Sequence, residues 1–279
     1  MNVKQEQLAY QRQAYDSHYP KMAAAIAEQM AHPLLSAFYD RLAKRILDHG
    51  LPEGRGTADA PVRMFEAGCG EGLVAAAVQR VADRRGLAYS YTGTDLSPAG
   101  VELARTYLKG ELRHGDAVEL VAGLAPGSQD LIWVKNLLHH LDDPADFVRH
   151  AVRAVGPTGR VVIVEPRLWC PVHWVNLMWF RQERHLFKGY RRTLAAFRAA
   201  RAEVLHSEMF SWLPYELAFA VRFKTLRQLF DTSDPAELER ASAFDEELTQ
   251  RLPGLSLYVV TALAGAAGPV SANGSTNNV

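Results

Sequence analysis

Between Val62 and Val164 five short strand-like runs, most of them apolar, alternate with amphipathic helical stretches. The runs are Val62 to Glu66, Ala88 to Thr94, Glu111 to His114, Leu131 to Val134 and Arg160 to Val164. Between the first two, Leu73, Val74, Ala77, Val78 and Val81 recur at helical spacing. Between the last two, Phe147, Val148, Ala151, Val152 and Val155 do the same. Strands with a near-continuous apolar character need cover on both faces, and each helix between them returns the chain to start a parallel neighbour. With Glu203 to Phe210 and Leu255 to Leu263 as further strands, the expected fold class is α/β: a doubly wound, mostly parallel, seven-stranded, Rossmann-like sheet.

The helix boundaries are written in local chemistry. Ser97-Pro98 and Asp143-Pro144 each offer a side-chain acceptor followed by a first-turn proline. Gly156-Pro157 stops the helix that Asp143 opens. Around this core the chain divides into a helical N-terminal lid and linker at 1–60, the α/β core at 61–165, and a helical inserted lid with one added strand at 166–252. A final core strand at 253–264 and a small polar tail at 265–279, expected to be disordered, complete the division.

Thirty-one basic residues balance thirty-one acidic ones, which leaves no overall excess for nucleic-acid binding. Two cysteines, Cys69 and Cys170, cannot build a disulfide framework or a four-thiolate zinc site. No stretch has signal-peptide character or the roughly 20 apolar residues of a membrane span, so the expected location is the cytoplasm.

The segment MFEAGCGEG, residues 64–72, lies between a strand and a helix. Gly68 and Gly70 permit a tight turn and a close ligand approach, and the following helix points its first N–H groups at that ligand. Leu73 stands where a third glycine of a dinucleotide fingerprint would fall, which argues against a nicotinamide cofactor. Acids close three successive strands on the ligand side of the sheet. Glu66 suits a ligand bearing a positive charge or an amine, Asp95 can accept both hydroxyls of a ribose, and Asp116 can accept from an adenine amino group.

EAGCGEG, TDLS, GDA, NLLHHLDDP and VVIVEP follow one another in an order that resembles the class I S-adenosylmethionine-dependent methyltransferases. The resemblance covers roughly residues 62–165. It implies S-adenosylmethionine as cofactor and S-adenosylhomocysteine as product. Glu66, Gly68, Gly70, Asp95 and Leu96 would surround the methionine portion and the ribose, Asp116 and Ala117 the adenine, and Asn136 would lie nearby. Tyr19 is a candidate to close over the cofactor.

Transfer from a sulfonium is an in-line displacement, so placement supplies much of the rate and a base is needed only for a protonated nucleophile. The candidates for that base are Glu165, His140 and His139. HHLDD gathers metal-ligand residue types, but Asp143 is explained as a helix cap and no metal is expected. Tyr15, His18, Trp169, His173, Trp174, Trp179 and Arg181 are candidate substrate contacts. Three tryptophans within residues 169–180 favour an apolar or aromatic substrate, and the basic run from Arg181 to Arg201 would suit an anionic group on it.

The expected function is therefore O-, N- or C-methylation of a largely apolar small molecule in specialised or lipid-related biosynthesis. No nucleic-acid or membrane-spanning partner is expected, and the helical additions leave room for a homodimer. Two alternatives stand beside it: a protein or peptide methyltransferase, which would present an open groove, and a family member that binds the cofactor without methylating.

Overall fold

The computed structural model describes residues 33–166, 195–210 and 258–264, together with 12, 13, 16, 236, 239, 240, 243, 246, 247, 250 and 251. In chain order the elements are α1 (Pro33–Gly50), β1 (Val62–Ala67), α2 (Leu73–Arg84), β2 (Tyr89–Asp95) and α3 (Pro98–Arg105). They continue with β3 (Glu111–His114), α4 (Ala117–Ala122), β4 (Leu131–Lys135), a 3-10 turn at Leu138–His140, α5 (Pro144–Val155) and β5 (Arg160–Pro166). β6 (Val204–Phe210) and β7 (Tyr258–Ala264) complete the sheet.

The seven strands run in the order β3-β2-β1-β4-β5-β7-β6. β1 to β5 pair in parallel, whereas β7 inserts antiparallel between β5 and β6. Consecutive strand residues face opposite layers. Met64, Leu131, Trp133, Val162 and Val164 pack with α1, α2 and α3, while Phe65, Ile132, Val134, Val161 and Ile163 pack with α4 and α5. This two-sided burial is the physical content of the doubly wound arrangement read from the apolar runs.

Caps fix the helix starts. Ser97 Oγ accepts from the Gly100 N–H at 3.2 Å, and Asp143 Oδ1 accepts from Ala145 and Asp146 at 3.0 and 3.1 Å. Gly156 ends α5 at φ 64°, a left-handed conformation suited to glycine.

The sequence reading assigns all of 1–60 to a lid and linker, but its part Pro33–Gly50 is a layer of the core. Phe38, Leu42, Ala43, Ile46 and Leu47 of α1 are buried with the sheet and α2. Asp40 ties the layer down through Arg80 and Arg84 of α2. Each fully buried large apolar side chain contributes about 1.5–3 kcal/mol. Among the described residues, no helix is long and apolar enough to cross a membrane.

Candidate active site

Strand order reverses between β1 and β4, with β2 and β3 on one side and β5 on the other. In open α/β sheets this switch point opens a crevice beyond the carboxyl ends of the strands. Two turns meet there: Gly68–Gly72 after β1 and Asn136–His140 after β4. A Cβ added to Gly68 would lie 3.2 Å from Leu137 Cδ1, so the two turns are in close contact. Gly68 and Gly70 have φ of 74° and 53°, a region L side chains rarely adopt. The turn is held by backbone donors: Gly68 and Cys69 N–H both donate to Thr94 O at 2.8 Å.

Asp95 joins this turn to the next one. Its Oδ2 accepts from Gly70 N–H at 2.8 Å and its Oδ1 from Ser97 N–H at 2.8 Å. Leu96, half-buried, lies between the two anchored positions.

The electrostatics of the crevice are dominated by carboxylates. Glu66 is 1% exposed and accepts from the Tyr91 hydroxyl at 2.9 Å. Burial pushes its pKa up to about 8 against that hydrogen bond, and Glu71 and Asp95 add repulsion. Burial likewise raises Asp95 to about 6, opposed by the Ser97 and Gly70 N–H groups. Glu71 is also raised by burial and is relieved in part by Lys135. Among the described residues these three crowded acids favour a cationic or amine-bearing ligand, whose charge would restore their ionised forms.

Asn136 adds an independent mark of a ligand. It sits at φ 57°, rare for a non-glycine residue, and its Oδ1 is buried without a hydrogen-bond partner. A left-handed glycine turn, acids beside it and an unused amide oxygen together fit S-adenosylmethionine, which carries a sulfonium, an ammonium, ribose hydroxyls and an adenine amine.

Asp116 has a structural duty that the sequence reading did not assign. Its Oδ1 caps α4 by accepting from Val118 and Glu119 N–H at 2.8 and 3.1 Å. Ala117 is the first residue of that helix.

The base candidates meet at the end of β5. Glu165, 4% exposed, accepts from Leu137 and Leu138 N–H at 2.9 and 2.8 Å through Oε1, and its Oε2 lies 2.6 Å from His139 Nδ1. Both of its oxygens are engaged in shaping the turn after β4. His139 is buried, and the half-buried His140 ring lies 4.1 Å from it, centroid to centroid, at 42°. Asp143 caps α5, and among the described residues HHLDD forms no three-ligand cluster.

Tyr15, His18, Tyr19, Trp169, His173, Trp174, Trp179 and Arg181 lie outside the described residues. Asp16 is described: its carboxylate accepts from Ser97 Oγ at 2.5 Å and Ala99 N–H at 3.4 Å, which places Asp16 at the start of α3. Glu71, Lys135, Tyr91 and Asp16 were not singled out from sequence. Glu71 stands inside the glycine motif, and Tyr91 is two and four residues before Gly93 and Asp95, on one face of β2. Gly93 has no side chain because the Tyr91 hydroxyl occupies the space a Cβ would take.

Residues 65–163 match the family model described as "Methyltransferase domain". The Ubiquinone biosynthesis O-methyltransferase of Pseudomonas aeruginosa (strain LESB58) is 32% identical over 108 residues, covering 36% of this chain and 43% of that protein. The mitochondrial enzyme of the same name from Schizosaccharomyces pombe is 27% identical over 106 residues, 36% of each chain. The matched segment thus spans about two fifths of these relatives' length. The solved structure of geranyl diphosphate methyltransferase with GPP and sinefungin aligns at a TM-score of 0.51 and 20% identity, covering 81% of this chain and 78% of that one. The cyclase SpnF aligns at 0.52 and 20% identity, covering 82% and 81%. Residues 65–163 thus resemble a methyltransferase domain, and a larger part of the chain shares its fold with these solved structures.

Proposed function

We propose that this protein transfers a methyl group from S-adenosylmethionine to a small, largely apolar molecule, releasing S-adenosylhomocysteine. The observation that carries this reading is the bond from Gly70 N–H to Asp95 Oδ2, which fuses the glycine turn and the end of β2 into one cradle at the switch point. In this reading Asp95 holds the ribose hydroxyls, Glu66 and Glu71 supply negative potential for the methionine portion, and Asn136 offers its free Oδ1 to the bound cofactor. Asp116 and Ala117 flank the adenine.

The cofactor supplies an activated methyl on a sulfonium; the protein supplies placement and, for a hydroxyl or amine nucleophile, a base. His140 is that base. Glu165 is a positioning residue, because both its oxygens already hold the turn that carries His139 and His140. The relatives named for ubiquinone biosynthesis and the structural neighbour named for geranyl diphosphate support a small acceptor. The tryptophans and arginines of 169–201 extend the reading to an apolar or aromatic acceptor with an anionic group.

Turnover tests it. The protein is incubated with methyl-labelled S-adenosylmethionine and panels of phenols, prenyl diphosphates and peptides, and S-adenosylhomocysteine is quantified. Acceptor-dependent product with a small molecule is the expected result. Transfer to peptides alone, or cofactor binding without turnover across all panels, would overturn it.

A further inference from the structure

Away from the crevice, the last turn of α1 faces the edge strand β6. His206, Glu208 and Phe210 alternate along β6, and Phe210 packs on Phe38, so these three side chains point toward α1. His49 Nε2 lies 3.0 Å from Glu208 Oε1, and His206 Nε2 lies 3.7 Å from Glu208 Oε2. The two imidazoles stack at 3.9 Å and 18°. One ligand atom from each of His49, His206 and Glu208 falls within 4.8 Å of the others, and all three residues are half-buried.

We propose that His49, His206 and Glu208 form a structural site for a divalent transition metal of the zinc type. Two imidazoles and one carboxylate are a donor set that zinc takes, at about 2.0–2.2 Å per bond with a tetrahedral angle between ligands. Such bonds put neighbouring donors a little over 3 Å apart; His49 Nε2 and Glu208 Oε1 are already at 3.0 Å, and the whole set lies within 4.8 Å. His206 Nε2 gives a second mark: it is buried and has no hydrogen-bond partner, although its carboxylate neighbour is near. Unmet polar atoms of this kind are uncommon in folded proteins and call for an explanation. Binding needs the rings to turn out of their stack so that both Nε2 lone pairs converge, with water filling the fourth position.

Arg45 is the charge that opposes the metal, since its Nε lies 3.1 Å from Glu208 Oε1. Its Nη2, however, is also 3.0 Å from Glu246 Oε1, which Arg41 contacts at 3.2 Å. The guanidinium therefore keeps an acidic partner when Glu208 turns to a cation. The site has no part in the proposed transfer: Gly50, beside His49, packs on Leu131 at the entry end of β4, while the reacting crevice is at the exit ends. What the metal would do is fasten β6 to the core. Among the described residues β6 has β7 as its sheet partner, and its Val204, Leu205 and Met209 are exposed.

The test uses tag-free full-length protein stripped with chelator. Zinc and cobalt are titrated into wild type, His206→Ala and Glu208→Gln, with calorimetric stoichiometry, the visible spectrum of cobalt and Tm as readouts. Expected are one equivalent per chain, a tetrahedral cobalt band and a zinc-dependent rise in Tm for wild type. Both variants should lose affinity at least about tenfold while keeping S-adenosylhomocysteine binding, which shows that they fold. Failure of wild type to bind zinc or cobalt, or equal binding by wild type and both variants, would overturn the proposal.

Discussion

Glu165, at the carboxyl end of β5, grips His139 in the turn after β4 with Oε2 2.6 Å from Nδ1. The same side chain accepts from Leu137 and Leu138 N–H through Oε1, so one carboxylate sets the course of three consecutive residues. Glu165→Ala would leave two backbone donors without an acceptor, at about 1–3 kcal/mol each. Thermal unfolding should show a clear loss of Tm, and kcat should fall as His140 drifts. Glu165→Gln keeps an acceptor for the two N–H groups and should recover most of the stability. The positioning role also predicts that the pH–rate profile keeps its shape in Glu165→Gln; loss of a limb would make Glu165 the base instead.

For a hydroxyl or amine acceptor, His140→Asn should lower kcat by about 100-fold or more, the usual contribution of a positioned base. The dissociation constant for S-adenosylhomocysteine should not change. Steady-state kinetics alongside calorimetry separates the two effects, and equal losses in binding and rate would assign His140 to the cofactor rather than the acceptor.

Gly70 adopts φ 53° while its N–H serves Asp95. Gly70→Ala should cost roughly 1–2 kcal/mol of backbone strain at that residue. The expected readout is S-adenosylhomocysteine affinity reduced about tenfold or more with the far-UV circular dichroism spectrum unchanged. Wild-type affinity in this variant would remove the glycine turn from the site.

Glu66 gives a pH signature. Burial raises its folded pKa to about 8 from an ordinary 4.5, so between those values the folded protein holds a proton that the unfolded chain releases. Its contribution to stability is complete below about 4.5 and is lost as pH rises through about 8. Glu66→Gln stays neutral throughout and can still accept from Tyr91. Without ligand, the Tm of Glu66→Gln relative to wild type should climb across that window, as read by scanning fluorimetry over pH. Parallel curves would place the burden of the acidic cluster on Asp95 and Glu71.

The parts of this molecule legible in its sequence are those governed by local rules. Strand runs such as Leu131–Lys135 and caps such as Ser97 and Asp143 follow from short-range pattern, and the structure places them within a residue or two of expectation. The placement of α1 was harder to read, because the apolar face of Phe38, Leu42 and Ile46 looks the same whether it covers a sheet or a ligand. Asp116 shows the same limit: an acid after a strand suits a helix cap as well as an adenine, and the cap made by its Oδ1 is visible only in the structure. The grip of Glu165 on Leu137 and His139 joins residues 26–28 positions apart, which only the pairing of β4 with β5 brings together. The approach of His49 to His206 and Glu208 has the same origin, since no spacing rule links a helix end to a strand that far along the chain.

The most direct measurement is calorimetric titration of S-adenosylhomocysteine into the wild-type chain and into Asp95→Ala. One equivalent bound by wild type, with affinity reduced at least tenfold in Asp95→Ala for loss of a charged hydrogen-bond acceptor, is the predicted result. Absence of binding to the folded wild-type protein would contradict the cofactor site at the junction of β1, β2 and β4, and with it the methyl-transfer reading.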